Sequence, residues 1–194
     1  MPDATLKDCE PMQEQHWPIR RLKPQDIAPG WLDGFERRQL VDLVYRAAPG
    51  GGRLALAEPF VDDWSNEERR GLCRELARIA ARGLVLEARL QGRLAGFAAI
   101  APERLGPEGD YLQLTELQVA RSWRGRGLGR ALLQACAAGG RELGAGRLYV
   151  SSHSAIETVA FYERCGCEPA RWLHPAQLER EPFDWQMELS LARD

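Results

Sequence analysis

The residues best suited to chemistry lie in one run, Leu117-Gln118-Val119-Ala120-Arg121-Ser122-Trp123-Arg124-Gly125-Arg126-Gly127-Leu128-Gly129-Arg130. A strand pattern leads into a glycine-rich turn, and the turn opens a helix. Glycine lets the backbone take positive φ and lets a ligand approach with no Cβ in the way. Free N–H groups at a helix start, with the helix dipole behind them, favour an anion. Arg121, Arg124, Arg126 and Arg130 add positive charge around the same turn. A phosphate or pyrophosphate is the natural ligand, and a tight turn with nothing bound is the competing interpretation. No Gly-Lys-Ser/Thr follows, so this is not a Walker loop. Gly125, Gly127 and Gly129 also lack the spacing of a dinucleotide fingerprint.

The elements that must position this turn can be read along the chain. Residues 1–17 read as a flexible N-terminal lead-in, with Pro2, Pro11 and Pro18 against regular structure, and residues 18–194 as a single domain. Pro18 to Leu22 is a short strand. Between Trp31 and Ala47, the apolar residues Trp31, Phe35, Val41 and Val44 suggest one or two short amphipathic helices. Pro49-Gly50-Gly51-Gly52 forces a loop, and Leu54 to Trp64 carries no readable pattern. Ser65 with Glu68 fits a capping box that starts a helix, and Gly83 is placed to end it. Leu84 to Leu90 and Leu94 to Ile100 alternate about the turn pair Gln91-Gly92, which predicts a hairpin. A strand follows from Tyr111 to Val119.

After the glycine turn, a helix runs to about Leu143, with Leu128, Leu132, Cys136, Gly139 and Leu143 on its buried face. Its small residues allow close approach to a sheet. Arg147 to Ser151 is a short strand, and Ser154 with Glu157 reads as a second capping box for a helix ending near Cys165-Gly166. Phe183, Trp185, Met187, Leu189 and Leu191 alternate with polar residues as a last strand. The order of elements predicts an α/β (α+β) single domain with a mixed sheet.

With these residues in place, the chain resembles the GCN5-related N-acetyltransferases. Arg124-Gly125-Arg126-Gly127-Leu128-Gly129 after Val119 is similar to that family's R/Q-x-x-G-x-G/A acyl-CoA signature. Thr158-Val159-Ala160-Phe161-Tyr162-Glu163-Arg164-Cys165-Gly166-Cys167 is similar to its helix ending in Phe/Leu-Tyr-Glu-x-x-Gly-Phe. The hairpin at Gln91-Gly92 falls where the family has its central strands. The resemblance covers Leu84 to Asp194 well and the first eighty residues by element order. It implies a mixed, mostly antiparallel central sheet flanked by helices, and transfer of acetyl from acetyl-CoA to a primary amine by direct attack, with no metal.

The resemblance also assigns residues. Backbone groups of Leu117, Gln118 and Val119 would bond the pantetheine arm as an added strand does. The pyrophosphate would rest on the N–H groups from Arg124 through Gly125, Arg126, Gly127, Leu128 and Gly129 to Arg130. Tyr162 is the candidate general acid, since a phenol with a reference pKa of about 10 can protonate a thiolate of pKa about 8.5 with little mismatch. Its competing reading is a core aromatic. Glu116 is the candidate base, directly or through water; alternating with Leu112 and Leu114, it is expected on a partly apolar face that raises its pKa. An ion pair with an Arg is the alternative. Two departures stand out. Ala155 replaces an Asn common seven residues before the Tyr, with Ser152 or Ser154 as substitutes, and Cys167 replaces a Phe.

Other features carry less. Asp62-Asp63 and Glu67-Glu68 suggest an acidic mouth for a cationic amine, or a solvated loop and helix start. Five scattered Cys and three His offer no CxxC spacing and no obvious metal cluster. Lys+Arg 26 against Asp+Glu 28 gives a net charge of -2, so no basic excess points to nucleic acid. No run of eighteen apolar residues predicts a membrane span, and no apolar leader is evident at the N-terminus. The expectation is a cytoplasmic enzyme acting on a small-molecule or peptide amine. The alternating C-terminal strand leaves a homodimer open. A non-catalytic acyl-CoA-binding sensor is the alternative function, and a nucleotide-phosphate enzyme a weaker one.

Overall fold

The computed structural model describes residues 16–192. Two sheets form. The larger has seven strands: β1 (Ile19–Arg21), β4 (Leu84–Leu90), β5 (Arg93–Leu105), β6 (Tyr111–Val119), β7 (Arg147–Ser152), β9 (Trp185–Ser190) and β8 (Glu168–Pro169), in that spatial order. Each neighbouring pair is antiparallel except β6 and β7, which run parallel. The smaller sheet is a two-stranded ribbon of β2 (Gln39–Ala47) and β3 (Arg53–Asp62). The α-helices are α1 (Asn66–Arg82), α2 (Leu128–Glu142), α3 (Ile156–Arg164) and α4 (Pro175–Arg180). The mixed, mostly antiparallel sheet flanked by helices is the architecture the sequence predicts.

Helices cover both faces of the sheet, so two cores form. On one face α2 and α3 bury Leu128, Leu132 and Val159 against Leu84, Leu112 and Leu148. On the other, α1 and the turns around Trp31 and Phe35 bury Leu76 and Ile79 against Val85, Phe97 and Ala99. Ser65 caps α1 as expected: its hydroxyl accepts from the Glu68 N–H at 3.2 Å, while the Glu68 carboxylate accepts from the Ser65 N–H at 2.7 Å. The expected lead-in lies outside the described residues up to 15; Trp17, at its end, packs into the first core. Among the described residues no helix is long and apolar enough to cross a membrane.

Two local expectations are corrected, and one stretch without a reading takes a form. The helix expected within Trp31–Ala47 is instead a set of turns followed by strand β2. The pairing shifts between Val41 and Leu43, with the extra residue on β3, and the buried pair Val41 and Val44, spaced by three along β2, imitates a helical stripe. The unreadable stretch Leu54–Trp64 is mostly β3, whose Leu54, Leu56, Phe60 and Val61 are all exposed and therefore show no alternation. The second capping box does not form. The N-cap of α3 is Ala155, without a side-chain cap. The Ser154 hydroxyl instead accepts from Arg46 Nη1 at 2.8 Å, and the His153 Nδ1 accepts the Ala155 N–H at 3.0 Å. A bridge between Val44 and Ala155 holds this loop against β2, which pulls Ser154 away from the helix start.

Where β6 and β7 lie side by side, a buried carboxylate ties them together. Glu188 on β9 is 3% exposed. It accepts from Tyr111 Oη at 2.6 Å, Arg147 Nη1 at 2.8 Å and the Arg171 N–H at 2.9 Å. Burial pushes its pKa up, but these donors and the Arg147 and Arg171 charges outweigh burial and hold the carboxyl below its usual range. Tyr111 is pushed up to about 12 by burial and by Glu188. Removing the carboxylate leaves the buried Tyr111 phenol without its acceptor and Arg147 with Asp110 alone. Glu188→Ala is therefore expected to lower unfolding free energy by about 3 kcal/mol or more in urea titrations; a loss within the scatter of a surface substitution would contradict this role.

Candidate active site

β6 and β7 pair only from Tyr111 to Leu114 and from Arg147 to Val150. Beyond that point β6 continues to Val119 against β5 alone, while β7 continues to Ser152 against β9. The strands therefore part. Thr115 to Val119 present one edge with no strand beside it, and a cavity of about 1440 Å³ opens there. It is lined from β6, β7, the glycine turn, α1, α3, α4 and the β2–β3 ribbon.

A bulge sets which side chains meet the gap. Ala99 faces Glu116 across β5 and β6, whereas Ile100 faces Leu114, so Thr115 is an extra residue on β6. Its Oγ1 donates to the Ala99 carbonyl at 3.3 Å. Leu112 and Leu114 face the α2 core before the bulge, and Leu117 and Val119 face it afterwards. Glu116 does not share the face of Leu112 and Leu114, as simple alternation predicts, because the bulge reverses parity between them. Glu116 and Gln118 lie opposite Ala99 and Phe97, on the α1 side. Tyr162, on α3, belongs to the α2 core and is 7% exposed. The two residues line one cavity from opposite faces of the sheet.

Burial pushes the Glu116 carboxyl up to about 7, against a hydrogen bond from Gln118 Nε2 at 3.0 Å and the Arg37 charge, which both pull it down. The pKa elevation expected from sequence is present, although its source is the closed α1 side of the cleft. Burial first, then the proximity of Cys167 and Glu116, drives the Tyr162 phenol far above its usual value. Tyr162 thus stays protonated. The close match between phenol and thiolate expected from reference values does not hold for the enzyme without ligand.

The glycine turn is built for backbone contact. Gly125 and Gly127 take φ of 73° and 89°, and Gly127 is the N-cap of α2 with no side-chain cap. A Cβ on Gly129 would lie 3.2 Å from the Phe161 ring, so glycine there lets α2 and α3 approach. These are the features that a pyrophosphate needs: uncapped N–H groups and no side chain over them. The arginines divide. Arg124 is spent as a staple, donating from Nε to the Val119 carbonyl at 3.0 Å, from Nη1 to Arg38 at 3.1 Å and from Nη2 to Arg37 at 2.6 Å. Arg126 is exposed and stacks on Trp123 at 5.1 Å, and Arg130 donates to the Arg164 carbonyl at 3.0 Å. Leu128 is buried in the core, leaving only its backbone to a ligand. Ser152 and Ser154, the expected substitutes for the missing Asn, are both buried; Ser152 donates to the His153 carbonyl at 3.1 Å.

Several lining residues escape a sequence reading. Of the expected acidic mouth only Asp62 lines the cavity, paired with Arg37; Asp63 pairs with Arg69 at 3.3 Å and Glu68 caps α1. On the β7 side, Ser151 donates to Asp184 at 2.9 Å, and burial pushes the Asp184 carboxyl up. Helix α4, which brings Gln177 and Arg180 to the cavity, is only six residues long, and Pro175 at its first turn is its one sequence signal.

The sequence model of the acetyltransferase (GNAT) family matches residues 53–167, and the chain belongs to that family. It is an acetyltransferase. No curated protein matches the chain. Among solved structures it is similar to nourseothricin acetyltransferase, with a TM-score of 0.67 and 19% identity over 91% of this chain and 99% of that one. A proposed streptothricin acetyltransferase of Bacillus anthracis, solved with acetyl coenzyme A, gives a TM-score of 0.65 and 15% identity over 91% and 98% of the two chains. YncA of Salmonella typhimurium, a proposed acetyltransferase solved with acetyl-CoA, gives 0.51 and 15% over 92% and 96%.

The raised Glu116 pKa has a consequence for stability. A carboxyl that titrates at about 7 in the fold and about 4.3 in the unfolded chain favours folding fully only below the lower value. That contribution is lost as pH rises through 7. Glu116→Gln, neutral at every pH, is expected to melt close to wild type near pH 4 and above wild type at pH 8. Thermal melts at the two pH values check this, and an equal offset at both would contradict a buried, titrating carboxyl.

Proposed function

We propose that this acetyltransferase moves the acetyl group of acetyl-CoA to a primary amine of a small molecule or peptide by direct attack, with Glu116 as base and Tyr162 as acid. The observation that carries this reading is the gap in the sheet, where a raised carboxyl approaches from one face and a protonated phenol from the other. Acetyl-CoA, when bound, supplies an acetyl thioester. The free edge from Leu117 to Val119 offers backbone groups to its pantetheine arm, and the uncapped start of α2 from Gly125 to Gly129 suits its pyrophosphate.

The proton balance fits these residues. An amine arriving as an ammonium ion must lose one proton before attack and a second after the C–N bond forms. As the C–S bond breaks, the sulfur takes one proton. Glu116, ionised above about pH 7, accepts the first through direct contact or water. Tyr162 gives its Oη proton to sulfur, and the second amine proton balances that loss. The high pKa of Tyr162 favours this step only where sulfur shares its apolar surroundings, since the same burial raises a thiol: Cys167 beside it is pushed up to about 12. A desolvated thiolate thus regains the match that reference values alone suggest. The names of the similar structures make streptothricin-type and other small-molecule amines the first acceptors to try.

Tyr162→Phe keeps the ring and removes the proton. It is expected to lower acceptor-dependent turnover at least about tenfold, with little change in acetyl-CoA affinity. CoA release followed with a thiol reagent, beside calorimetric titration of acetyl-CoA, measures both. Wild-type turnover in the variant would remove Tyr162 as the acid. Normal acetyl-CoA binding by wild type, with no release above hydrolysis for any acceptor, would favour the sensor reading.

A further inference from the structure

Arg37 is the one buried cation on the α1 side of the cavity whose donors are largely unused among the described residues. It lies just before β2 and is 9% exposed. Its backbone is fixed: its N–H donates to the Phe35 carbonyl at 3.0 Å, and its carbonyl accepts from Arg124 Nη2 at 2.6 Å. The guanidinium lies over the Trp64 ring, 5.2 Å from its centroid, and donates to Asp62 through Nη2. Nε and Nη1 are buried and have no hydrogen-bond partner among the described residues.

An arginine side chain keeps its charge and all five of its N–H donors in a protein, so these groups have to find acceptors. Leaving two charged donors unpaired is costly, and an oxygen ligand would remove the cost. Asp62 already answers through Nη2, so what Nε and Nη1 lack is a further oxygen acceptor. Arg37 lines the same cavity as Glu116, and its charge is near enough to pull the Glu116 pKa down. An acceptor whose amine meets Glu116 would therefore bring its neighbouring atoms to Arg37.

We propose that Arg37 selects the acceptor: the amine carries a carboxylate or carbonyl oxygen within a few bonds of its nitrogen, and the free Arg37 N–H groups bind that oxygen. An amino acid or an aminoacyl amide has this chemistry, and a simple alkyl polyamine lacks it. This inference rests on the reading of the cavity as an acetyl-acceptor site. A site built to hydrogen-bond a substrate oxygen discriminates strongly against an analogue without it, because its own donors are then left buried and unpaired.

The test compares kcat/KM within matched sets of amines that carry a carboxylate, a carboxamide or neither beside the nitrogen: lysine, lysinamide and cadaverine, and phenylalanine, phenylalaninamide and phenethylamine. Streptothricin and an aminoglycoside are included as further acceptors. Wild type is expected to favour an oxygen-bearing member by at least about tenfold. Carboxylate and amide arms tell the two oxygen sources apart. In Arg37→Gln the ratio within each set should fall toward one, and Arg37→Lys, which keeps the charge, should recover part of it. Melting temperature and acetyl-CoA affinity are measured on each variant; if Arg37→Gln does not fold, the wild-type ratio and Arg37→Lys decide. Acetylation without preference for the oxygen overturns the inference alone. Equal loss for all acceptors in Arg37→Gln, with weakened acetyl-CoA binding, also overturns it and places the guanidinium on the cofactor. No acceptor-dependent release with any amine overturns the acetyl-transfer reading itself, and the inference with it.

Discussion

The parting of β6 from β7 after Leu114 and Val150 is the constraint on which the site depends. Parallel strands pair side by side unless something prevents it, and here one feature opens the pair while another holds it closed at the far end. The extra residue at Thr115 bends β6 and reverses the side-chain parity beyond it. Glu188, gripping Tyr111, Arg147 and the Arg171 backbone, fixes the strands together at the closed end. Held at one end and bent at the other, the pair opens as a wedge. The wedge leaves backbone donors and acceptors of β6 unused, and it places Glu116 and Tyr162 on opposite sides of one passage through the sheet.

The glycine turn needs the same geometry. It starts where β6 ends, and Ala120 N–H still bonds the Ala95 carbonyl before the chain turns away. Helix α2 then returns close over the sheet. A Cβ on Gly96 would lie 2.9 Å from the Gln118 carbonyl and 3.0 Å from Leu132, and one on Gly140 would lie 3.0 Å from Leu148. These glycines let the helix lie low on the strands, so its uncapped N-terminus sits at the open end of the wedge. Arg124 completes the arrangement through three guanidinium hydrogen bonds to backbone carbonyls. By bonding carbonyls at residues 37, 38 and 119, it joins the glycine turn to the segment that carries Arg37.

Sequence reasoning reaches this site where local rules act alone. The capping box at Ser65, the Gln91-Gly92 hairpin, the small-residue face of α2 and the glycine turn each follow from one element's own chemistry. Readings fail where tertiary contacts override local pattern. Val41 and Val44, both buried and three apart on β2, look helical, and the exposed leucines of β3 hide a strand. Ser154 looks like an N-cap until Arg46 and the β2 bridge claim its loop. Glu116 lines the cavity, but from the face opposite to the one that strict alternation gives. Arg37 and Asp184 leave no signal at all, because what sets them apart is their place beside a cavity that only the assembled fold creates.

The most direct test of the account is backbone hydrogen exchange with and without acetyl-CoA. The account predicts slowed exchange at two places, the free edge of β6 from Thr115 to Val119 and the turn from Gly125 to Gly129, because both carry amides that lack strand or cap partners. Protection confined to other segments, or no change at these two while acetyl-CoA is bound, would contradict the claim that the wedge between β6 and β7 is where the thioester is held.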